Sequence, residues 1–441
     1  MDSRELLADL IGRARAAGAD AADAVLISGT SLSVARRLGK IEHLERAEGR
    51  DLGLRVFVGK RAAIVASSSV DPAGFGVLAE RAVDMARVVP EDPYAALAGE
   101  ARLEEVALDL DDPSEPDAAA LIARAAIAEE AALGVKGVTN SEGAEAGYGR
   151  TEITLVTSAG FAGRYARTSH SLSAVALAGA GVGMQRDYDY TSTVHLADLE
   201  DAEAIGRVAG ERAVARLAPV RMKTGTVPVI YDPRVSAGLV GHLAGAVNGA
   251  SVARGTSFLR EKMGQRVFRP GVMIVDDPRR VRGLRSRPFD AEGVPTGALV
   301  LVEDGVLRSW VLDSRSARQL GLVTTGHASR GTGGPPSPGT TNLYLAAGTL
   351  SPAELMSDIK EGLYVTELIG MGINGLTGDY SRGAAGFVIR DGVLAEAVAE
   401  VTIAGTLQEM FATMTPANDL VFRRGTDAPT VRIDAMTLAG A

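Results

Sequence analysis

Apolar residues follow two different rhythms along the first hundred positions. Four apolar side chains between Leu6 and Ile11 recur at helical spacing, which predicts an opening amphipathic helix. Residues 23–39 and 52–68 instead form runs rich in Val, Ile and Leu, and they are typical of paired strands in hairpins. A further helix is expected over 71–88, because an Asp-Pro pair opens it.

A second group of elements follows the proline-containing segment 90–100, which we interpret as a linker. An Ala-rich helix is predicted over 117–133 and strands over 151–179. A long helix is expected from about Leu199, and Pro219 ends it.

From Thr224 onward the pattern changes to short strands separated by turn-forming pairs, and a few helices interrupt them. Asp-Gly and Asn-Gly pairs favour tight hairpin turns, because both residues tolerate positive φ. The pairs are Asp304-Gly305, Asn374-Gly375 and Asp391-Gly392, and the interrupting helices are predicted near 233–247, 351–361 and 405–414.

These patterns together predict an α+β fold in three parts. Residues 1–100 and 101–222 should form an α/β N-terminal half with two subdomains. Residues 223–441 should form a strand-rich C-terminal domain with a few helices.

Composition narrows the function classes. The chain of 441 residues carries a net charge of -9 with mixed signs, so it offers no basic face for nucleic acid. It has no Cys, which excludes disulfides, thiolate nucleophiles and Cys-ligated metals. The N-terminus lacks a signal-peptide pattern, and the uncharged stretch 235–253 contains polar residues typical of a buried helix. We therefore expect a cytoplasmic protein without a membrane partner.

Two glycine-rich segments resemble phosphate-binding loops only superficially. Residues 53–61 lack the Ser or Thr that follows the lysine of a P-loop, so a strand with a basic hairpin turn is the better interpretation. The Gly- and Pro-rich segment 326–341 is more typical of a mobile surface loop than of an anion site. No G-x-S-x-G elbow is present to expose a hydrolase serine.

The histidines do not form a metal-binding pattern. They are His43, His170, His195, His242 and His327, and no two are one helical turn apart. His242 lies on a predicted helix and is interpreted first as a hydrogen-bonded core or cleft residue. His327 follows a glycine in the flexible segment and is the better candidate for contact with a substrate.

Chemically active side chains are densest at 377–387, TGDYSRGAAGF. Glycines allow close approach of a backbone, while Asp379 and Arg382 supply charge suited to a peptide or a carboxylate. An internal Asp379–Arg382 salt bridge that only shapes the turn is an equal alternative.

Several segments in this order resemble the TldD/PmbA peptidase family. They are TNSEGAEAGY (139–148), PFDAEGVPT (288–296), VTELIGMGIN (365–374), TGDYSRGAAGF (377–387) and EVTIAGTLQEMF (400–411). The resemblance covers nearly the whole chain. It implies the same division into an α/β N-terminal half and a strand-rich C-terminal half.

The resemblance also implies which of the two family branches is present. TldD-type members hold zinc with a helical His-Glu-x-x-x-His motif and a downstream Cys. The corresponding segment in this chain is VGHLAG at 240–245, which precedes RGTSF at 254–258. Neither His of the motif is present in it, and the Glu position is occupied by Gly241. Cleavage of an amide by zinc needs three protein ligands and a base beside the metal-bound water. The PmbA (TldE) branch is therefore implied, with no metal, cofactor or catalytic residue in this chain.

The leading expectation is a non-catalytic partner that pairs with a TldD-type zinc peptidase subunit and helps to form a chamber for unfolded or short peptides. Residues expected to line the peptide channel are His242, His327, Asp379, Tyr380, Ser381 and Arg382. Two alternatives stay open. One is a stand-alone hydrolase using Ser381 or Tyr380 with a histidine and Asp379. The other is a peptide-binding homodimer that acts without a peptidase partner.

Overall fold

The computed structural model describes residues 2–99 and 104–441. The fold is α+β, as the sequence patterns predict, while the expected boundary at residues 100 and 101 lies outside the described residues. The helices are α1 (Ser3–Ala16), α2 (Phe75–Val88), α3 (Ala118–Leu133), α4 (Ala202–Ala215), α5 (Pro233–Ala246), α6 (Gly249–Ala253), α7 (Ser314–Leu320), α8 (Pro352–Met356) and α9 (Leu407–Thr413).

One antiparallel sheet runs through the whole N-terminal half. Its strands are β1 (Ala21–Arg37), β2 (Lys40–Val58), β3 (Arg61–Ser67), β4 (Val138–Thr157), β5 (Ala162–Ala178) and β6 (Gln185–Thr193). They lie in the order β3-β2-β1-β4-β5-β6, so β1 pairs with β2 on one side and with β4 on the other. Residues 1–100 and 101–222 are therefore joined through the β1–β4 ladder.

Two helix pairs cover different parts of this sheet. Helices α1 and α2 pack on the first strands, and α3 and α4 pack on β4, β5 and β6. Helix α3 starts where predicted, because the Asp117 carboxylate accepts the backbone N–H of Ala120 at 2.8 Å. Helix α4 starts later than expected from Leu199, because residues 196–198 form a separate 3-10 turn and Asp201 caps the helix.

The C-terminal domain contains two main sheets. Its strands are β7 (Gly225–Tyr231), β8 (Ile274–Asp276), β9 (Leu299–Glu303), β10 (Val306–Leu307), β11 (Ala328–Ser329), β12 (Ser337–Pro338), β13 (Leu343–Leu345), β14 (Glu361–Ile373), β15 (Asp379–Arg390), β16 (Val393–Thr406), β17 (Thr415–Pro416), β18 (Thr426–Asp427) and β19 (Val431–Ala439). The larger sheet has the order β16-β15-β14-β7-β19-β17, and β16 also pairs with β19. This extra pairing closes five strands into a ring around an apolar interior.

The predicted turn pairs behave in two ways. Asp304 and Asp391 have φ of 47° and the glycines after them have φ of 75° and 81°, as tight hairpin turns require. Asn374 instead starts a wider connection, and its side chain accepts the backbone N–H of Leu376 at 2.9 Å. The local sequence therefore predicted two of the three tight turns correctly.

The glycine-rich segment 326–341 differs from the expected surface loop. Its two ends pair as β11 and β12, and Ala328 and Thr341 are buried. Exposed residues alternate with more buried ones from Ser329 to Ser337. The segment is anchored because polar partners from distant elements reach its ends, which sequence composition does not show.

A buried ion network joins the two halves of the molecule. Asp23 on β1 accepts from Arg55 Nε at 2.8 Å and from Arg330 Nη1 of the C-terminal domain at 2.6 Å. Arg55 Nη2 also lies 3.7 Å from Glu292 Oε1, and the other Glu292 oxygen accepts the Ser314 backbone N–H at 2.8 Å. We call Asp23, Arg55, Arg330 and Glu292 the junction network.

The pKa values of the two acids in the junction network shift in opposite directions. Burial by itself raises the pKa of Asp23, but the charges of Arg330 and Arg55 outweigh it and lower that pKa. Burial raises the pKa of Glu292, and Arg55 offsets this only in part. The ionised Asp23 carboxylate therefore balances the charge of both arginines.

Within the described residues, no helix combines the length and apolar composition that crossing a membrane requires.

Replacing Asp23 should destabilise the protein strongly. Asp23→Ala leaves two guanidinium groups buried without their counter-charge, and the expected loss is about 3–5 kcal/mol in the free energy of unfolding. Urea denaturation followed by circular dichroism measures it. The control is Asp9→Ala, which breaks an exposed Asp9–Arg13 pair and should change the same quantity by less than about 0.5 kcal/mol. Equal effects of the two variants would show that the junction network is not stabilising.

Candidate functional site

Helix α5 presents a face without side chains. Asp232 caps the helix by accepting the Arg234 backbone N–H at 2.9 Å, and Leu239 and Leu243 bury the opposite face. The exposed face consists of Gly238, Gly241 and Gly245, and a methyl group added at any of them would meet no atom within 4 Å. We call these three glycines the open face of α5. Another backbone can approach the helix closely there.

His242 lies beside the open face and packs on a tyrosine. Its ring centroid is 6.0 Å from that of Tyr380, and the two rings meet edge to face at 71°. Burial lowers the pKa of His242, and the positive charge of Arg382 lowers it further. The imidazole is therefore neutral at physiological pH.

Tyr380 belongs to a buried pair of phenols. It is 1% exposed, and its hydroxyl lies 3.5 Å from that of Tyr231, which in turn lies 3.2 Å from Met436 Sδ. Burial raises the pKa of Tyr380, although the Tyr231 hydrogen bond and the Arg382 charge partly oppose it. Both phenols therefore remain protonated, and Tyr380 supports the imidazole rather than acting as a base.

Strand β15 sorts the four predicted residues onto two faces. Tyr380 and Arg382 alternate with Asp379 and Ser381, so the pairs point in opposite directions. Arg382 Nε donates to the Ile369 backbone oxygen at 3.3 Å, whereas Asp379 accepts from the Thr377 hydroxyl at 2.5 Å. The alternative of an internal Asp379–Arg382 salt bridge is therefore wrong.

His327 does not lie on a surface that a substrate could reach in this conformation. It is fully buried, with Nε2 2.9 Å from Asp276 Oδ2 and Nδ1 2.6 Å from the Thr325 backbone oxygen. The Thr341 hydroxyl donates to the same carboxylate at 2.6 Å. Both ring nitrogens are thus engaged in structural hydrogen bonds. The neighbouring glycine suggested exposure, but Asp276 lies far away in sequence and supplies the partner that buries the ring.

The described residues do not assemble a catalytic triad or a zinc site. The Ser381 hydroxyl makes no hydrogen bond to a histidine in this part of the chain, and His327 has no free ring nitrogen. No group of three His, Cys, Asp or Glu side chains with metal-binding geometry occurs in residues 2–99 and 104–441. His242 has the cationic Arg382 nearby, which opposes a divalent cation. The residues present therefore do not fit zinc.

The structure brings together three of the six predicted channel residues, His242, Tyr380 and Arg382, and sequence reasoning missed their surroundings. Tyr231 reaches Tyr380 from β7, and no local pattern indicates that contact. The open face of α5 was recoverable, because glycines at positions 238, 241 and 245 share one side of a helix of 3.6 residues per turn.

Removing Arg382 should raise the pKa of His242. The pKa of His242 in the folded protein lies below the ordinary value of 6.5. His242 therefore contributes to stability at pH values above 6.5, and this contribution is lost as the pH falls through the folded pKa. In Arg382→Gln the charge is removed while burial remains, so the pKa should rise but stay below 6.5. An NMR titration of the imidazole measures it. Arg390→Gln, at an exposed site on the same strand, is the matched control and should leave that pKa unchanged. An identical pKa in wild type and Arg382→Gln would contradict the electrostatic coupling.

Comparison with known proteins gives a consistent assignment along the chain. The family models for the PmbA/TldA metallopeptidase domain 1, central domain and C-terminal domain match residues 22–86, 111–217 and 224–440. Metalloprotease PmbA of Escherichia coli O157:H7 is 36% identical over 425 residues, which cover 96% of this chain and 92% of that protein. A metalloprotease PmbA homolog of Haemophilus influenzae is 32% identical and covers 99% of this chain and 96% of its own length.

Solved structures give the same fold. A putative modulator of DNA gyrase from Bacteroides thetaiotaomicron has a TM-score of 0.92 at 25% identity, with all of both chains covered. TldE from Thermococcus kodakarensis has a TM-score of 0.89 at 22% identity, with 99% of this chain and 100% of that chain covered. The chain therefore belongs to the TldD/PmbA peptidase family, in its PmbA (TldE) branch.

Proposed function

We propose that this chain is the non-catalytic, metal-free subunit of a cytoplasmic TldD/TldE-type heterodimeric metallopeptidase that degrades or matures unfolded or short peptides. Zinc would be held by the TldD-type partner. The observation that carries the proposal is the composition of α5. TldD-type members carry a His-Glu-x-x-x-His motif on the corresponding helix. In this chain the helix has instead the open face and one neutral imidazole near Arg382.

The open face supports contact with an extended peptide. A helix surface without side chains lets a peptide backbone approach closely, and His242 beside it is near enough to Arg382 to feel its charge. The half-buried imidazole and the guanidinium can donate hydrogen bonds to peptide carbonyl groups. These groups bind and orient a chain, and they supply no nucleophile for its cleavage.

The end of the β14–β15 hairpin supports contact with a protein partner. Ile369, Met371 and Leu376 expose 61%, 89% and 54% of their surfaces there. Arg382 connects this apolar hairpin end to the site, because its Nε donates to the Ile369 oxygen. Clustered exposed apolar side chains mark interaction surfaces, since leaving them in water is unfavourable. A partner that covers the hairpin end would also border the open face of α5.

The proposal predicts that peptidase activity requires two different subunits. The purified chain alone should not cleave unfolded or short peptides, whereas the chain mixed with a TldD-type subunit should cleave them in an EDTA-sensitive reaction. Cleavage of fluorogenic peptides measures this, and size-exclusion chromatography with light scattering reports complex formation. EDTA-sensitive cleavage by the isolated chain would refute the proposal. Peptide binding by a homodimer, with no complex formed, would favour a peptide-binding protein without a peptidase partner.

Filling the open face should reduce activity without unfolding the chain. Gly241→Leu places a side chain where the peptide backbone is proposed to lie, so peptide cleavage by the reconstituted pair should fall by roughly tenfold or more. Gly12→Leu is the matched control, because Gly12 is also exposed on a helix with no atom within 4 Å of an added methyl group. Both variants gain helix propensity, so neither should lower the melting temperature. Equal activity of the two variants would exclude the open face from peptide contact.

A further inference from the structure

A second cavity, separate from the open face of α5, lies between the two halves of the molecule. Its volume is about 560 Å³, a size typical of small-molecule sites. One wall comes from the C-terminal domain, at residues 285–291, 329–330 and 340–341. The other wall is a patch of cross-strand neighbours on β1, β4 and β5, which are Val25, Ile27, Ile153, Leu155 and Tyr165.

Positive charge dominates the lining of this cavity. The lining contains four arginines, Arg167, Arg285, Arg287 and Arg330, but a single carboxylate, Asp290. Within the described residues, Nε and Nη2 of both Arg287 and Arg330 are buried without a hydrogen-bond partner. Arg330 uses its remaining nitrogen for Asp23, and its side chain is 3% exposed. Among the described residues, the hydrogen-bond partner of the Arg167 guanidinium is the Leu284 backbone oxygen, at a long distance of 3.4 Å.

Asp290 does not satisfy these arginines. One of its oxygens accepts the backbone N–H groups of Glu292 and Val294 at 2.8 and 3.0 Å, and the other accepts that of Ala328 at 3.0 Å. Burial raises the pKa of Asp290, and these backbone hydrogen bonds and Arg287 offset the effect only in part. The carboxylate therefore holds the turn at 290–294 together.

Two other buried guanidinium groups are paired with carboxylates, although in the described part of the chain single unpartnered nitrogens also occur on Arg36, Arg124 and Arg279. Arg55 is bound to Asp23, and Arg234 donates to Asp187 at 2.7 Å. A buried N–H group without an acceptor is costly, especially on a charged side chain. The unpartnered nitrogens of Arg287 and Arg330 thus provide positions that an external anion would complete.

We propose that this cavity binds a carboxylate attached to an apolar group, namely the C-terminal residue of a peptide. A guanidinium fork matches the two oxygens of a carboxylate, and the wall of Val, Ile and Leu side chains can bury an apolar substituent. Arg285 and Ser329 are exposed, so the cavity reaches solvent and the rest of a peptide can leave it. The choice of a peptide rests on the function proposed above, whereas the carboxylate chemistry does not.

Calorimetry on the isolated 441-residue chain tests this proposal with small probes. N-acetylleucine should bind, and N-acetylleucinamide should bind at least about tenfold more weakly, because it lacks the charge that the arginines recognise. Arg287→Gln should weaken the binding of N-acetylleucine by about tenfold or more. Arg207→Gln, at an exposed position on α4, is the matched control and should have no effect. Arg167→Gln is the second variant if Arg287→Gln does not fold.

Several results would overturn the assignment. Failure of N-acetylleucine to bind, equal binding of the amide, or unchanged binding in folded arginine variants would exclude the carboxylate site. Inorganic phosphate binding as tightly as N-acetylleucine would assign the cavity to a simple anion. Octanoate binding more tightly would assign it to a fatty acid. The binding experiment needs no peptidase partner. Its result is therefore independent of whether peptidase activity can be reconstituted.

Discussion

The arrangement of the two halves depends on the buried ion pairs that the Asp23 carboxylate forms with Arg55 and Arg330. It lies buried between Arg55 of its own sheet and Arg330 of the C-terminal domain, with Arg55 Nη2 at 2.5 Å and Arg330 Nη1 at 2.6 Å. Apolar contacts are non-directional, whereas these hydrogen bonds fix the position of one half against the other. The same Arg330 side chain lines the arginine-rich cavity, so the junction network and that cavity share one group.

The closed ring of strands in the C-terminal domain positions the candidate site. Strand β7 leads directly into α5, and Asp232 between them caps the helix and also accepts from the Tyr364 hydroxyl at 3.1 Å. This arrangement sets His242 above Tyr380, whose hydroxyl meets Tyr231 inside the ring. The result is the surface that we propose to contact a peptide. Its hydrogen-bond donors are the His242 imidazole and the Arg382 guanidinium. Among the described residues, no group of side chains there could bind zinc.

The sequence allowed prediction of features that local chemistry decides. The α+β class, the capped helix α3 and the positive φ at Asp304 and Asp391 follow from apolar spacing, an N-cap residue and Asp-Gly pairs. Features that depend on distant partners were out of reach. The burial of His327 depends on Asp276, the β16–β19 pairing closes the ring, and β1–β4 pairing merges the two N-terminal segments into one sheet. None of these contacts has a signature in neighbouring residues.

The central claim is that this chain completes a peptidase without holding its metal. Zinc content measured by native mass spectrometry, on the isolated chain and on its complex with a TldD-type subunit, tests that claim most directly. The account predicts no stoichiometric zinc on the isolated chain, and one zinc in the complex that remains with the TldD-type subunit when the two are separated. A stoichiometric zinc ion retained by the isolated chain would contradict it.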